Sequence, residues 1–182
     1  MITGATGTAT FTPCGTMRST LTRTWDSRPT LLVVMFNPST ADGSEDDPTV
    51  TLLCKLASHN GFGGVVVVNG IPLCSSTPGP AVEMTRWDKH REWGDRDALQ
   101  NNLGLIVKLC ASAGAVLLAW GALADRCADW FDNVREEIEC AVPDGTSVYC
   151  LGKTTGGYPK HPLARGKHKV RPDQKFVLWG QA

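Results

Sequence analysis

Residues 31–38, LLVVMFNP, constrain this chain more than any other stretch: five apolar residues and Phe36 run uninterrupted into Asn37-Pro38. A continuous apolar run needs burial on both faces, as in a strand of a parallel sheet covered by helices on either side. Pro38 lacks a backbone N–H and fixes its own φ, so the strand stops there and hands Asn37 to a loop at the sheet's carboxyl edge. In open α/β sheets that edge is where ligands bind. An amide there, followed by Ser39, Thr40 and Asp42, reads as part of a polar site.

Three further runs share this character: VVVVN at 65–69, AVLLAWG at 115–121 and SVYCLG at 147–152. Amphipathic stretches fill the intervals. Asp47-Pro48 makes a cap and first-turn proline for a helix near 48–60, where Val50, Leu53, Cys54 and Ala57 fall at helical spacing. Gly61, Gly63 and Gly64 break it. Segments 93–112 and 122–139 read as helices, and 72–90, rich in Pro, Ser and Thr, reads as a loop. Near the amino terminus, 6–12 and 17–25 read as strands turned at Pro13-Cys14-Gly15, and FVLW at 176–179 is a last apolar patch. Strands alternating with helices predict one α/β domain over residues 1–182, a three-layer α/β/α arrangement with a mostly parallel central sheet. The amino-terminal hairpin is expected as an appendage to it.

Composition narrows the function classes. With 182 residues, 42% hydrophobic and 20% charged, the chain has enough apolar material for one substantial core. Lysine plus arginine and aspartate plus glutamate both number 18, so net charge points to neither a nucleic-acid nor a membrane partner. The distribution says more. Asp42, Glu45, Asp46 and Asp47 cluster together, whereas 153–175 carries Lys153, Lys160, Arg165, Lys167, Lys169, Arg171 and Lys175 against Asp173 alone. That basic strip reads either as a solvated face or as a phosphate-contacting surface. The seven cysteines are odd in number, spread out and free of any C-x-x-C pair, which argues against a zinc ribbon, a disulfide framework or an iron–sulfur site. No basic leader with an apolar core opens the chain, and no run approaches about 18 apolar residues. The expectation is a cytoplasmic monomer with no membrane association, no metal and no cofactor.

The strand ends form an ordered set: Asn37-Pro38, Asn69-Gly70, Trp120-Gly121, then a loop leading to His161-Pro162-Leu163. If the strands are parallel neighbours, all four ends gather at one rim. This order resembles the uracil-DNA glycosylase superfamily. There, a water-activating Asp or Asn precedes a Pro after the first strand, an Asn after the second reads the pyrimidine edge, and a strand ends in Trp-Gly. A His-Pro loop supplies the catalytic histidine. The NPSTAD and HPL signatures are also similar to those of an uncharacterised family of bacterial and phage proteins.

The resemblance implies a DNA glycosylase of that fold acting on duplex DNA with a flipped base. Asn37 would position water, and His161 would stabilise charge on the leaving base. An amide positions water without the charge a carboxylate adds, so slower chemistry than in aspartate-bearing enzymes is expected. Asn69 would read the base edge, Phe36 or Trp120 would stack on it, and Lys153, Lys160, Arg165, Lys167 and Lys169 would grip phosphates. Two departures stand out. Ser39 or Thr40 occupies the place of an aromatic residue that crowds C5 of uracil, and Leu163 replaces a serine after His-Pro. The open C5 side implies a pyrimidine enlarged there, such as the hydroxymethylated or glucosylated cytosine of phage DNA, and hence an antiviral role.

Other readings remain open on the residues alone. Asn37 and Asn69 are natural turn formers, Phe36 and Trp120 are natural core residues, and His161 suits an exposed turn. His59 and His90 show no partner spacing, and His168 extends the basic strip. A hydrolase of free modified nucleotides or nucleosides, with Asp42, Glu45, Asp46 and Asp47 holding Mg²⁺, is one rival. A noncatalytic DNA-binding or DNA-mimicking protein is the other.

Overall fold

A computed structural model describes residues 4–86 and 93–181. The apolar run at 31–36 forms β3 (Thr30–Met35), the centre of a seven-stranded sheet. It pairs in parallel with β4 (Gly64–Asn69) on one side and β5 (Ala115–Leu118) on the other, and β5 pairs in parallel with β6 (Ser147–Cys150). Outside this core the pairing reverses. The hairpin of β1 (Thr6–Phe11) and β2 (Arg18–Thr24) joins antiparallel to β4, and β7 (Val177–Leu178) joins antiparallel to β6. The strand order is β1-β2-β4-β3-β5-β6-β7.

Two expectations are corrected here. The sheet is mixed rather than mostly parallel, with a parallel four-stranded core and antiparallel edges. The hairpin is no appendage, because β2 continues the sheet through Leu21↔Val67 to Thr24↔Gly64. A buried ion pair fastens it: Arg23 Nε donates to Asp46 Oδ1 at 2.7 Å, with side chains only 4% and 6% exposed. Breaking one partner of such a pair strands the other charge at a cost of about 3 kcal/mol or more.

Strand alternation sends side chains to two separate cores. Leu31, Val33 and Met35 face α1 (Pro48–His59) together with Val65, Val67 and Leu117. Leu32, Val34 and Phe36 face α2 (Pro78–Met84), α3 (Trp93–Cys110) and α4 (Ala128–Ala141) together with Val68, Val116 and Leu118. Helices thus cover both faces, as the uninterrupted apolar runs require.

Helix α1 starts as expected, with Pro48 in its first turn and the Asp47 carboxylate accepting the Val50 N–H at 2.8 Å. The expected loop 72–90 instead contains α2. Its prolines occupy the first turn, where their missing N–H groups cost nothing, and Ala81, Val82 and Met84 are buried. His90 lies outside the described residues. The helix expected over 122–139 opens as a 3-10 segment, Ala122–Cys127, before α4. Cys54, Cys110 and Cys150 are buried as small apolar side chains, and burial pushes the Cys54 and Cys110 thiols up to about 12. Among the described residues no helix is long and apolar enough to cross a membrane.

Candidate functional site

The parallel core brings the ends of β3 and β4 to one rim, and the loop after β6 reaches the same place. Asn37, Ser39, Asn69 and His161 line one cleft of about 160 Å³, with Arg18 and Asp47. Asn37 and Asn69 stand in phase with Met35 and Val67, so both point to the α1 side of the sheet.

Each side chain is held by its surroundings. Asn37 Nδ2 donates to Pro38 O at 2.8 Å, Ser75 O at 3.0 Å and Leu73 O at 3.3 Å. Three carbonyls fix the nitrogen and leave Oδ1 as an acceptor. Asn69 is 2% exposed and held the opposite way, its Oδ1 accepting from Arg18 Nη2 at 3.2 Å. A guanidinium has no acceptor, so the amide oxygen must face it. Among the described residues nothing accepts from Asn69 Nδ2. The backbone behind it is stapled too: Asn102 Nδ2 donates to Asn69 O at 2.8 Å and Trp130 Nε1 to Gly70 O at 3.0 Å. A Cβ at Gly70 would lie 2.6 Å from the Phe131 ring, which explains the Asn-Gly pair as a packing requirement.

His161 is half-buried in the loop after β6. Its Nδ1 accepts the Leu163 N–H at 3.1 Å, so in the neutral ring Nε2 carries the proton. Burial pushes the imidazole down to about 4, opposed by the Asp47 carboxylate. Gly121 lets this loop approach: it has φ +81°, and a Cβ there would lie 2.8 Å from His161 Cβ. The Gly121 N–H also donates to Pro159 O at 2.9 Å. Trp-Gly and His-Pro are therefore two halves of one contact.

Arg18 is the residue that sequence reasoning missed. It is 3% exposed, donates to Ala41 O at 2.8 Å as well as to Asn69, and leaves Nε buried without a partner. Burial pushes its guanidinium below the ordinary value, opposed by Cys74 and Asp47. Thr10 pairs with Thr20 and Phe11 with Arg18, so Ser19 is an extra residue that turns Arg18 to the face of Leu21 and Arg23.

Several expected contacts fall elsewhere. Phe36 is corrected from a base-stacking surface to core, and Trp120 lies outside the cleft that holds the asparagines. They are 3% and 1% exposed and pack on Phe131 at ring separations of 5.1 and 5.4 Å. Phe36 follows Met35 and precedes Asn37, so alternation turns it to the opposite side of the sheet. Thr40 is exposed and is not part of the cleft wall. The four acids do not converge. Asp46 is paired with Arg23, Asp42 Oδ1 accepts the N–H groups of Ser44 and Glu45, and Asp47 caps α1. Among the described residues no group of three such side chains is arranged to hold a metal ion.

The basic strip divides. The Lys153 ammonium lies over the Trp179 ring at 4.6 Å, Arg171 pairs with Asp173 at 2.9 Å, and Lys175 donates to His59 O at 3.2 Å. Lys160 folds across Gly152. Arg165, Lys167 and Lys169 are exposed, with no ion pair among the described residues. Arg165 also borders a second hollow, of about 400 Å³, which His161 lines as well, with Trp120, Thr154 and His168.

The profile of a family described as protein of unknown function, DUF1643, matches residues 18–163. The chain belongs to this family. The matched DUF1643 segment runs from Arg18 through Leu163, so it contains all six cleft residues named above. No curated protein and no solved structure matches the chain.

Proposed function

We propose that the chain is a DNA glycosylase of the uracil-DNA glycosylase type, hydrolysing the N-glycosidic bond of a flipped pyrimidine enlarged at C5. The observation that carries this reading is the meeting of Asn37, Asn69 and His161 in one cleft, each held in a defined hydrogen-bonding polarity.

Asn37 Oδ1 accepts a hydrogen bond from the attacking water and holds it against C1′ of the sugar. Water oxygen bonds to C1′, the C1′–N1 electron pair leaves with the base, and the proton lost by water neutralises the departing base. Neutral His161 donates from Nε2 to the base oxygen on which charge grows, and Asn69 Nδ2 donates to an acceptor on the base edge. Such preoriented donors are typically worth about 3 kcal/mol each in the transition state. Arg165, Lys167 and Lys169 supply phosphate contacts beside the cleft.

Among the described residues no Phe, Tyr or Trp lines the cleft, and Ser39 borders it beside Asn37. That open side favours a base larger at C5 than uracil, as in phage DNA with hydroxymethylated or glucosylated cytosine. The test is mass-spectrometric detection of free base from such DNA, beside unmodified and uracil-containing DNA. Release from the modified DNA, lost in Asn37→Ala and His161→Ala, is expected. Release from uracil DNA alone defeats the enlarged-base reading, and no release from any of them defeats the glycosylase reading.

A further inference from the structure

Arg18 is a buried cation whose two partners are a backbone carbonyl and an amide oxygen, and no carboxylate is bonded to it among the described residues. Burying a guanidinium without a bonded carboxylate is costly, so its place beside Asn69 calls for a reason. Its hydrogen bond draws electron density from Asn69 Oδ1 and makes the Nδ2 hydrogens stronger donors. It also sets a positive charge directly behind the amide that faces the cleft. Arg18 is too enclosed to serve as a free ligand-binding arm, so its action passes through Asn69.

We infer that Arg18 is a positioning residue that, through Asn69, tunes the cleft to hold a pyrimidine ring when that ring carries negative charge. This rests on the glycosylase reading, in which the base departs with the glycosidic electron pair, and it assigns stabilisation of that departing anion to a residue outside the four strand-end motifs. Asp47, the carboxylate at the cleft wall, acts in the opposite sense.

The test is calorimetric binding of two free bases to the full chain, at a mildly alkaline pH where uracil nitrated at C5 is an anion and thymine is neutral. The wild type should bind the anion about tenfold more tightly, the scale of one charge-assisted hydrogen bond. Arg18→Met should erase this preference and Arg18→Lys should restore part of it. Asp47→Asn keeps a good helix cap and should strengthen the preference. If Arg18→Met does not fold, a preference left unstrengthened by Asp47→Asn overturns the inference.

Equal binding of the two bases by the wild type, absence of binding by both, or an undiminished preference in folded Arg18→Met each overturns the inference. Base release is measured on the same preparations. Anion preference without base release from any DNA removes the glycosylase reading and leaves Arg18's role standing. Base release without anion preference does the reverse.

Discussion

The ends of β3 and β4 lie side by side, Met35 paired with Asn69, yet the asparagines that close them are held with opposite polarity. At the end of β3 three carbonyls take the Asn37 nitrogen, so the oxygen is left for the cleft. At the end of β4 a buried guanidinium takes the Asn69 oxygen, so the nitrogen is left. An amide carries one donor group and one acceptor group, and the protein spends a different one at each site. Identical side chains on neighbouring strands thus become an acceptor suited to water and a donor suited to a base edge.

Replacing either amide by the isosteric carboxylate should break this symmetry unequally. Asn37→Asp faces three carbonyl oxygens with a carboxylate, and the expected result is a loss of about 3 kcal/mol in urea unfolding with base release reduced about a thousandfold. A carboxylate would add charge to the reaction on chemical grounds alone, but this pocket is built to receive N–H groups. Wild-type stability or a gain in rate for Asn37→Asp would show that the carbonyl cradle does not set the polarity of the first amide. Asn69→Asp should behave differently, since the new carboxylate meets Arg18 as an ion pair. Its melting temperature should equal or exceed the wild type's, while base release falls about a hundredfold because the free donor has gone. Unfolding of Asn69→Asp, or unchanged release, would undo the contrast.

Neither amide titrates, so of the three side chains given roles in the cleft only His161 responds to pH. Its ordinary value is near 6.5 and its value here is about 4, so the neutral ring with Nε2–H persists as pH falls through 6.5. Base release attributable to His161 should change less than about twofold between neutral pH and 5. Stability should behave otherwise. The unfolded chain takes up a proton on this histidine near 6.5 and the folded chain only near 4, so folding free energy declines as pH drops through that interval. An NMR titration showing His161 protonating near 6.5 would refute both expectations.

How far these features were legible follows from the reach of each signal. The ends at Asn37-Pro38 and Asn69-Gly70 were readable because proline and glycine act locally, and both asparagines reach the cleft. Phe36 was misplaced although the same local signal was sufficient. Counting by twos from Asn37 reaches Met35 and Val33, which places Phe36 with the opposite core. Arg18 was not legible, because its orientation depends on one unpaired residue, Ser19, whose existence is set by the register of β1 against β2. The hairpin's place in the sheet failed similarly, since pairing of β2 with β4 joins segments far apart in sequence. Helix α2 was hidden by its prolines, which read as loop formers until their first-turn position is known.

The smallest expected effect lies at the rim, where it separates affinity from recognition. Arg165, Lys167 and Lys169 are exposed, so under the proposed glycosylase reading each would act through phosphate neutralisation and be screened by salt. Replacing any one by alanine should weaken DNA binding uniformly across sequences and lower the slope of log affinity against log salt by about one. Lys153→Ala should change that slope less, because the lysine is already engaged over Trp179. None of these four variants should alter the ratio of release between two bases in the same duplex. Under the proposed reading that ratio would belong to groups that meet the base itself, the Asn69 donor and His161, whereas rim cations would meet a backbone that every base shares. A change in base preference on removing Arg165 would extend recognition into the second hollow beside His161, and the division between an amide-lined cleft and a merely electrostatic rim would fail.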